Sequence, residues 1–122
     1  MARYVLLLRE DHPGQFTPSP EEIQAMIARY RAWSQKVAAA GKLEGGQKLT
    51  DEGGRHLRLD GGKLAVQDGP YAEAREVLGG FYVVKAADYD EAVALAGSCP
   101  HLDFGWIEVR QIDELPPAPP AS

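Results

Sequence analysis

Residues 4–8, Tyr-Val-Leu-Leu-Leu, decide the fold of this chain. Five consecutive apolar residues that are closed by Arg9 and Glu10 are typical of a strand in the middle of a sheet. Side chains alternate along a strand, so the even-numbered residues of this run face one side of the sheet and the odd-numbered residues face the other. Both faces of the sheet are therefore expected to need a cover.

A long helix is predicted to follow this strand. The proline-containing loop 11–20 ends in residues 19–22, Ser-Pro-Glu-Glu, where a capping serine, a proline and two acids are typical of a helix start. Apolar residues then recur at three- and four-residue steps over 23–37, and Gly41 is predicted to end the helix. The apolar stripe of this helix predicts that it packs on a sheet.

The rest of the chain predicts more strands and a second helix. Asp88 is the predicted cap of that helix, which ends near Gly97 or Cys99. Residues 60–62, Asp-Gly-Gly, favour a tight turn because glycine accepts positive φ angles. Strands are predicted at 43–49, 78–84 and 106–112, and a hairpin at 56–66.

Without the hairpin, the order of elements is strand, helix, strand, strand, helix, strand. This order predicts an α+β, ferredoxin-like βαββαβ fold, in which one antiparallel sheet carries two helices on a single face and the hairpin is an insertion. The other face of the sheet then needs a second cover. A second copy of the chain is the simplest one, because closed two-fold dimers are the commonest oligomers.

Length and charge limit the classes of function. The 122 residues predict one domain, residues 1–113, and a proline-rich tail, residues 114–122, that is disordered or extended. The net charge of -5 disfavours nucleic acid and anionic lipid as partners. Cys99 is the only cysteine, and no apolar run is long enough to serve as a signal peptide or to cross a bilayer, so a cytoplasmic protein is expected.

Residues 68–82, Asp-Gly-Pro-Tyr-Ala-Glu-Ala-Arg-Glu-Val-Leu-Gly-Gly-Phe-Tyr, resemble the signature of the DGPF branch of the YCII-related family. Residues 99–101, Cys-Pro-His, with Gly105 and residues 107–110, Ile-Glu-Val-Arg, resemble the same branch. The resemblance covers residues 2–113. It departs at Tyr71, where the name motif has phenylalanine, and this change keeps the ring and adds a hydroxyl group.

The resemblance implies a dimeric α/β-barrel type of assembly, in which two sheets face each other and enclose clefts. It also implies, from the wider family, an Asp and His pair that carries out proton transfer. It implies little about the reaction itself, and some members of the branch are neighbours of alternative sigma factor genes, which suggests a regulatory setting.

Asp68 and His101 are the candidate catalytic residues. A carboxylate at the end of a strand can take a proton or orient an imidazole, and histidine titrates near neutral pH. Each residue also has a structural alternative. Asp68 in Asp-Gly-Pro can simply build a turn, and His101 can bond the last carbonyls of the preceding helix.

The candidate ligand-binding residues are Glu108, Arg110, Trp106 and Tyr71. The first three share one face of the last strand, so they are expected to face the space between subunits, as an interface ion pair or as part of a ligand pocket. Three histidines without metal-ligand spacing and a lone cysteine predict no metal. The sequence has no phosphate-binding loop or serine nucleophile motif, so no cofactor is expected.

Two hypotheses follow for the function. The first is a homodimeric small-molecule enzyme or binding protein that uses Asp68 and His101 as an acid–base pair. The alternative is a non-catalytic regulatory or partner protein, whose open sheet face is an interaction surface and whose Asp-Gly-Pro motif only builds a turn.

Overall fold

The structure of the protein is a computed structural model that describes residues 1–11, 18–69, 76–116 and 118–120. The elements follow in the order β1 (Ala2–Asp11), α1 (Pro20–Ala39), β2 (Leu43–Lys48), β3 (Arg55–Asp60), β4 (Lys63–Asp68), β5 (Glu76–Ala86), α2 (Tyr89–Gly97), a 3-10 helix (Pro100–Asp103) and β6 (Trp106–Gln111). No helix within these ranges is both long and apolar enough to cross a membrane.

The main sheet has four strands in the order β2-β5-β1-β6, and every neighbouring pair is antiparallel. Strand β1 therefore lies inside the sheet, between β5 and β6, as its continuous apolar run predicts. Strands β3 and β4 form a separate two-stranded sheet. This is the predicted ferredoxin-like arrangement with an inserted hairpin, and the α+β fold class is confirmed.

Both helices cover the same face of the main sheet. Tyr4 and Leu6 of β1 are 2% and 0% exposed, and they pack in one cluster with Trp33 of α1 and Ala92 of α2. The indole nitrogen of Trp33 donates to the Ser98 hydroxyl at 3.0 Å, so the polar group of this buried ring is satisfied. The core is thus built from the even-numbered side of β1, and burying it fixes the helices over the sheet.

The ends of α1 form as the sequence predicts. The Ser19 hydroxyl accepts from the Glu22 amide at 3.1 Å, and the Glu22 carboxylate accepts from the Ser19 amide at 3.1 Å, which makes a reciprocal capping box. At the other end Gly41 has φ of +74°, a left-handed conformation that favours glycine. The helix is therefore held at a fixed length over the sheet.

The opposite face of the main sheet has no helix on it among the described residues. Val5 and Leu7 of β1 lie in register with Val83 and Phe81 of β5, and all four side chains are half-buried. The tail begins beside this sheet, where the Glu114 carboxylate accepts from the Arg3 guanidinium at 2.7 Å. The domain boundary at residue 113 stays a prediction.

The inserted hairpin turns at Gly61 and Gly62, which have φ of +58° and +82° as a two-residue turn requires. One face of the hairpin carries four apolar side chains that are more than half exposed. These are Leu57, Leu59, Leu64 and Val66.

Candidate functional site

A cleft of about 390 Å³ opens between α1 and one end of the main sheet. Met26 and Ile27 of α1 form its wall, and Leu8 of β1 contributes to its floor. His101 of the 3-10 helix also lines it. The size and the mainly apolar wall are typical of a site for a small organic molecule.

Glycines open this cleft. Gly46 and Gly80 lie on the helix-facing side of the sheet, in register with Tyr82 and Leu8 respectively, so the floor has no side chain at these two positions. A Cβ atom at Gly80 would lie 2.8 Å from the backbone oxygen of Gln47, and one at Gly46 would lie 2.6 Å from the backbone oxygen of Phe81. The sheet therefore tolerates no side chain at these two positions.

A bulge lies in the floor at the same end of the sheet. The register between β1 and β5 shifts after Leu8, which leaves Gly79 as the extra residue of β5. The backbone oxygen of Gly79 accepts from the Leu49 amide at 2.9 Å. Bulges bend a strand and redirect its neighbours, and they are common beside functional sites.

His101 is buried, with 4% of its surface exposed, and both ring nitrogens have partners. Nε2 lies 2.8 Å from the backbone oxygen of Arg9, and Nδ1 lies 2.9 Å from the Tyr30 hydroxyl. Gly105 makes this approach possible, because a Cβ atom there would collide with the Arg9 oxygen. The imidazole thus joins β1, α1 and the 3-10 helix at the cleft.

The hydrogen bonds of His101 fix its neutral tautomer. A backbone carbonyl can only accept, so Nε2 carries the hydrogen and donates it to Arg9. Nδ1 is then bare and accepts the hydrogen of the Tyr30 hydroxyl. Burial raises the pKa of Tyr30 above its ordinary value, so this hydroxyl keeps its proton at neutral pH.

Three charged side chains also line the cleft. Glu10 comes from the end of β1, Arg31 from α1 and Lys48 from the end of β2. Lys48 contacts the Asp51 carboxylate at 3.1 Å, whereas Arg31 has no side-chain hydrogen bond or ion pair to any residue in the described part of the chain. Cationic and anionic groups are therefore both present at the rim.

Asp68 lies at the end of β4, in the hairpin. Its side chain is 83% exposed, and its carboxylate contacts the Arg55 guanidinium at 3.1 Å across the two strands. Asp68 does not line the cleft, and the described residues include no hydrogen bond or ion pair between Asp68 and His101. The pairing of these two residues stays a prediction.

Glu108 and Arg110 lie together on the open face of the sheet, on the side that strand alternation predicts. The Glu108 carboxylate accepts from Arg110 at 3.1 Å and from Arg9 at 3.0 Å. These hydrogen bonds, first that of Arg110 and then that of Arg9, hold the pKa of Glu108 below its ordinary value. Trp106 is on the same strand, opposite Arg9 and 37% exposed. None of these residues lines the cleft.

Tyr71, the last predicted ligand-binding residue, lies outside the described residues. Sequence reasoning missed Tyr30, which it assigned only to the apolar stripe of α1. It also missed the role of Gly46 and Gly80. A tyrosine in a core stripe, with a hydroxyl that needs a partner when buried, was the available signal.

Within the described ranges, no group of three or more His, Cys, Asp or Glu side chains is placed to hold a metal ion.

Comparison with known proteins relates this chain to a protein family, to a protein of similar sequence and to a solved structure. The YCII-related domain matches residues 2–116. An uncharacterized protein of Rhizobium meliloti (strain 1021) is 34% identical over 112 residues, which are 89% of this chain and 90% of that protein. A similar structure is that of 5-chloro-2-hydroxyhydroquinone dehydrochlorinase from Burkholderia phenoliruptrix AC1100, in complex with 2,5-dihydroxybenzoquinone. The two structures superpose with a TM-score of 0.50 and 18% sequence identity, over 91% of this chain and 93% of the dehydrochlorinase chain. This last match shows a shared fold.

The ion pairs of Glu108 make a testable prediction about pH. Because the pKa of this carboxyl group is lower in the folded protein than in the unfolded chain, its contribution to stability is present above the unfolded pKa and is lost as pH falls through the folded value. A carbon-13 NMR titration of Glu108 should give a midpoint below that of an ordinary glutamate. Arg110→Ala should raise the midpoint, and the control Arg55→Ala should leave it unchanged. A midpoint that Arg110→Ala does not move would contradict these contacts.

Proposed function

The chain belongs to the YCII-related domain family, and we propose that it is a homodimeric, cytoplasmic protein of the DGPF branch that binds or converts a small organic molecule. The site is the cleft between α1 and the sheet, and His101 is its acid–base group. The observation that carries this proposal is the buried, fully hydrogen-bonded imidazole in the wall of an otherwise mainly apolar cleft.

Burying a histidine in this position costs free energy of desolvation, and a purely structural role does not explain that cost well. Burying a polar ring requires a partner for each of its polar atoms, and here Tyr30 and the Arg9 backbone supply both. An apolar residue of similar size would fill the space without these requirements. The imidazole borders a cleft of about 390 Å³, where proton transfer to a bound molecule is possible.

Asp68 is proposed as the second member of the acid–base pair. Its contact with Arg55 is exposed, and such ion pairs contribute only about 0–1 kcal/mol, so little free energy opposes a reorientation of the carboxylate. Glu108, Arg110 and Trp106 are proposed as ligand-binding residues on the side of the sheet that the second copy covers. Tyr71 is also proposed as a ligand-binding residue.

The ligand class is proposed from the cleft and from the shared fold. Leu8, Met26 and Ile27 provide apolar contacts, while Arg31 offers a cation to a carboxylate or an ionised hydroxyl. The dehydrochlorinase of the same fold is described in complex with 2,5-dihydroxybenzoquinone, a compact hydroxylated ring. Small phenols, quinones and carboxylates are therefore the first compounds to test.

A thermal-shift screen of these compounds tests the cleft. A ligand at 100 times its dissociation constant should stabilise the folded protein by about 2.7 kcal/mol. Ile27→Trp should abolish the shift, because Ile27 lines the cleft and the larger ring fills it. Ile23→Trp is the matched control: both residues lie on α1 and are about 40% exposed, but Ile23 does not line the cleft. A ligand whose shift survives Ile27→Trp would place the site elsewhere.

Replacement of the proposed pair separates the two roles of Asp68. Asp68→Asn and His101→Gln should each remove about 1 kcal/mol or more of the stabilisation by a ligand from the screen. Asp68→Asn should also leave the melting temperature of the free protein unchanged, since its ion pair is exposed. Asp60→Asn, on the same hairpin, should retain the response. If Asp68→Asn behaves like Asp60→Asn, or only unfolds the protein, then Asp68 is a turn residue.

The second candidate is a non-catalytic regulatory or partner protein. The observation that favours it is the half-buried apolar patch of Val5, Leu7, Phe81 and Val83 on the face of the sheet that carries no helix. Either a second copy or another protein can cover such a face. The first outcome supports the homodimer, and the second supports the partner protein.

Sedimentation equilibrium shows whether a second copy of the chain covers the open face of the sheet. The purified protein should have twice the 13.3 kDa mass of one chain. Leu7→Lys should give the mass of one chain, because it puts a charge on the open face. Leu57→Lys, on the exposed face of the hairpin, should leave the dimer intact. A wild-type protein with the mass of one chain would contradict the homodimer and favour the partner protein.

A further inference from the structure

We propose that Tyr30 is the residue that contacts the reacting group of the ligand, that this group is a hydroxyl, as in a phenol or an enol, and that His101 acts through Tyr30. This inference rests on the proposed function, because it takes the cleft between α1 and the sheet as the ligand site. It goes further by assigning the direction of each hydrogen bond in that site.

The direction follows from the backbone oxygen of Arg9. That oxygen has no hydrogen, so the Nε2–H of His101 must donate to it, at 2.8 Å. Nδ1 of the neutral ring is then an acceptor, and the Tyr30 hydroxyl, at 2.9 Å, must donate its only hydrogen to it. Toward the cleft, Tyr30 therefore offers only oxygen lone pairs. A bound molecule has to supply the hydrogen.

The hydrogen bonds from the ligand to Tyr30 and from Tyr30 to His101 also form a path for a proton. A ligand hydroxyl gives its proton to the Tyr30 oxygen while the hydrogen of Tyr30 passes to Nδ1 of His101. The ligand O–H bond breaks and a new O–H bond forms at Tyr30; the old Tyr30 O–H bond breaks and an N–H bond forms at His101. The products are an ionised ligand and an imidazolium, and no oxidant or other reactant is needed.

The surroundings hold the Tyr30 ring in this position. The ring stacks against Phe104, with 6.3 Å between centroids, and the hydroxyl is tied to the buried imidazole. A neutral phenol oxygen is a poor base, so Tyr30 takes a proton only as it passes its own to His101. Burial raises the pKa of Tyr30, which disfavours a separate tyrosinate. Tyr30 is therefore the catalytic residue of this step, and His101 is its positioning residue and proton acceptor.

Charged and titratable groups from several elements line the same cleft. After burial, the negative charge of Glu10 of β1 is a further cause of the raised pKa of Tyr30, whereas Arg31 of α1 and Lys48 of β2 bring positive charge to the cleft. Tyr82 of β5 lines the cleft as well, and burial raises its pKa, so it stays neutral. Arg31 and Lys48 therefore favour an ionised ligand within the cleft, and Tyr82 adds no charge.

The experiment compares two probes that differ in one hydrogen-bond donor, 4-nitrophenol and 4-nitroanisole. Wild-type protein should bind the phenol about ten-fold more tightly than the methyl ether, because a site with a buried acceptor discriminates against a ligand without a donor. Tyr30→Phe should lose this preference while binding the ether as wild type does. Tyr82→Phe, a second tyrosine of the same cleft, should keep it.

The ionisation of the bound phenol tests the part of His101, at a pH where the free phenol is neutral. His101→Gln should leave the bound phenol un-ionised, because an amide side chain does not take up the proton, and it also decides the question if Tyr30→Phe fails to fold. The absorbance of the bound phenol should show ionisation in wild type and Tyr82→Phe but not in Tyr30→Phe.

The outcomes separate this inference from the proposed function. Equal binding of both probes by wild type, with the binding lost in Ile27→Trp, would overturn the inference and leave the cleft as a ligand site. A preference that survives Tyr30→Phe would also overturn it. If neither probe binds, the hydroxyl ligand class is wrong, and the wider thermal-shift screen decides the function.

Discussion

Burial of the helix-facing side of β1 is the constraint on which the rest of the structure depends. Leu6 of β1 is fully buried. Its strand lies between β5 and β6, and residues of both helices pack in the same cluster as Leu6. The hydrophobic effect favours this packing along the strand. At Gly46 and Gly80 the sheet has no side chains to pack against α1. There α1 and the sheet separate, and the cleft opens. The hydrophobic core and the cleft thus both lie between the helices and the main sheet, and the two glycines lie where the core ends and the cleft begins.

The fold could be predicted from the sequence because its signals are local. The apolar run 4–8, the capped helix start at Ser19 and the Asp60-Gly61-Gly62 turn each specify their own segment, and all of them agree with one order of elements. The alternation of side chains along β6 also predicted that Glu108 and Arg110 lie on one face of the sheet, and this is the open face. The 3-10 helix at Pro100–Asp103 had no comparable local signal.

The candidate site was harder to predict, because its parts come from distant positions. His101 was a candidate for its chemistry alone, but its partners depend on where α1 and β1 lie. The Tyr30 hydroxyl is 71 residues away in the chain, and the Arg9 oxygen is 92 residues away. A periodic apolar stripe does not distinguish a tyrosine that fills the core from one whose hydroxyl reaches an imidazole. Asp68 was chosen from a motif, and the hairpin carries it on a separate two-stranded sheet.

His101 is held as the Nε2–H tautomer, with Nδ1 open to the Tyr30 hydroxyl. Long-range proton–nitrogen NMR of the histidine rings measures this directly, at a pH where the ring is neutral and with His101→Gln to assign its signals among the three histidines. We expect a protonated Nε2 and a bare, hydrogen-bonded Nδ1, and we expect Tyr30→Phe to shift the Nδ1 resonance. A ring that carries its hydrogen on Nδ1, or one that exchanges freely between the two tautomers, would contradict this arrangement of hydrogen bonds.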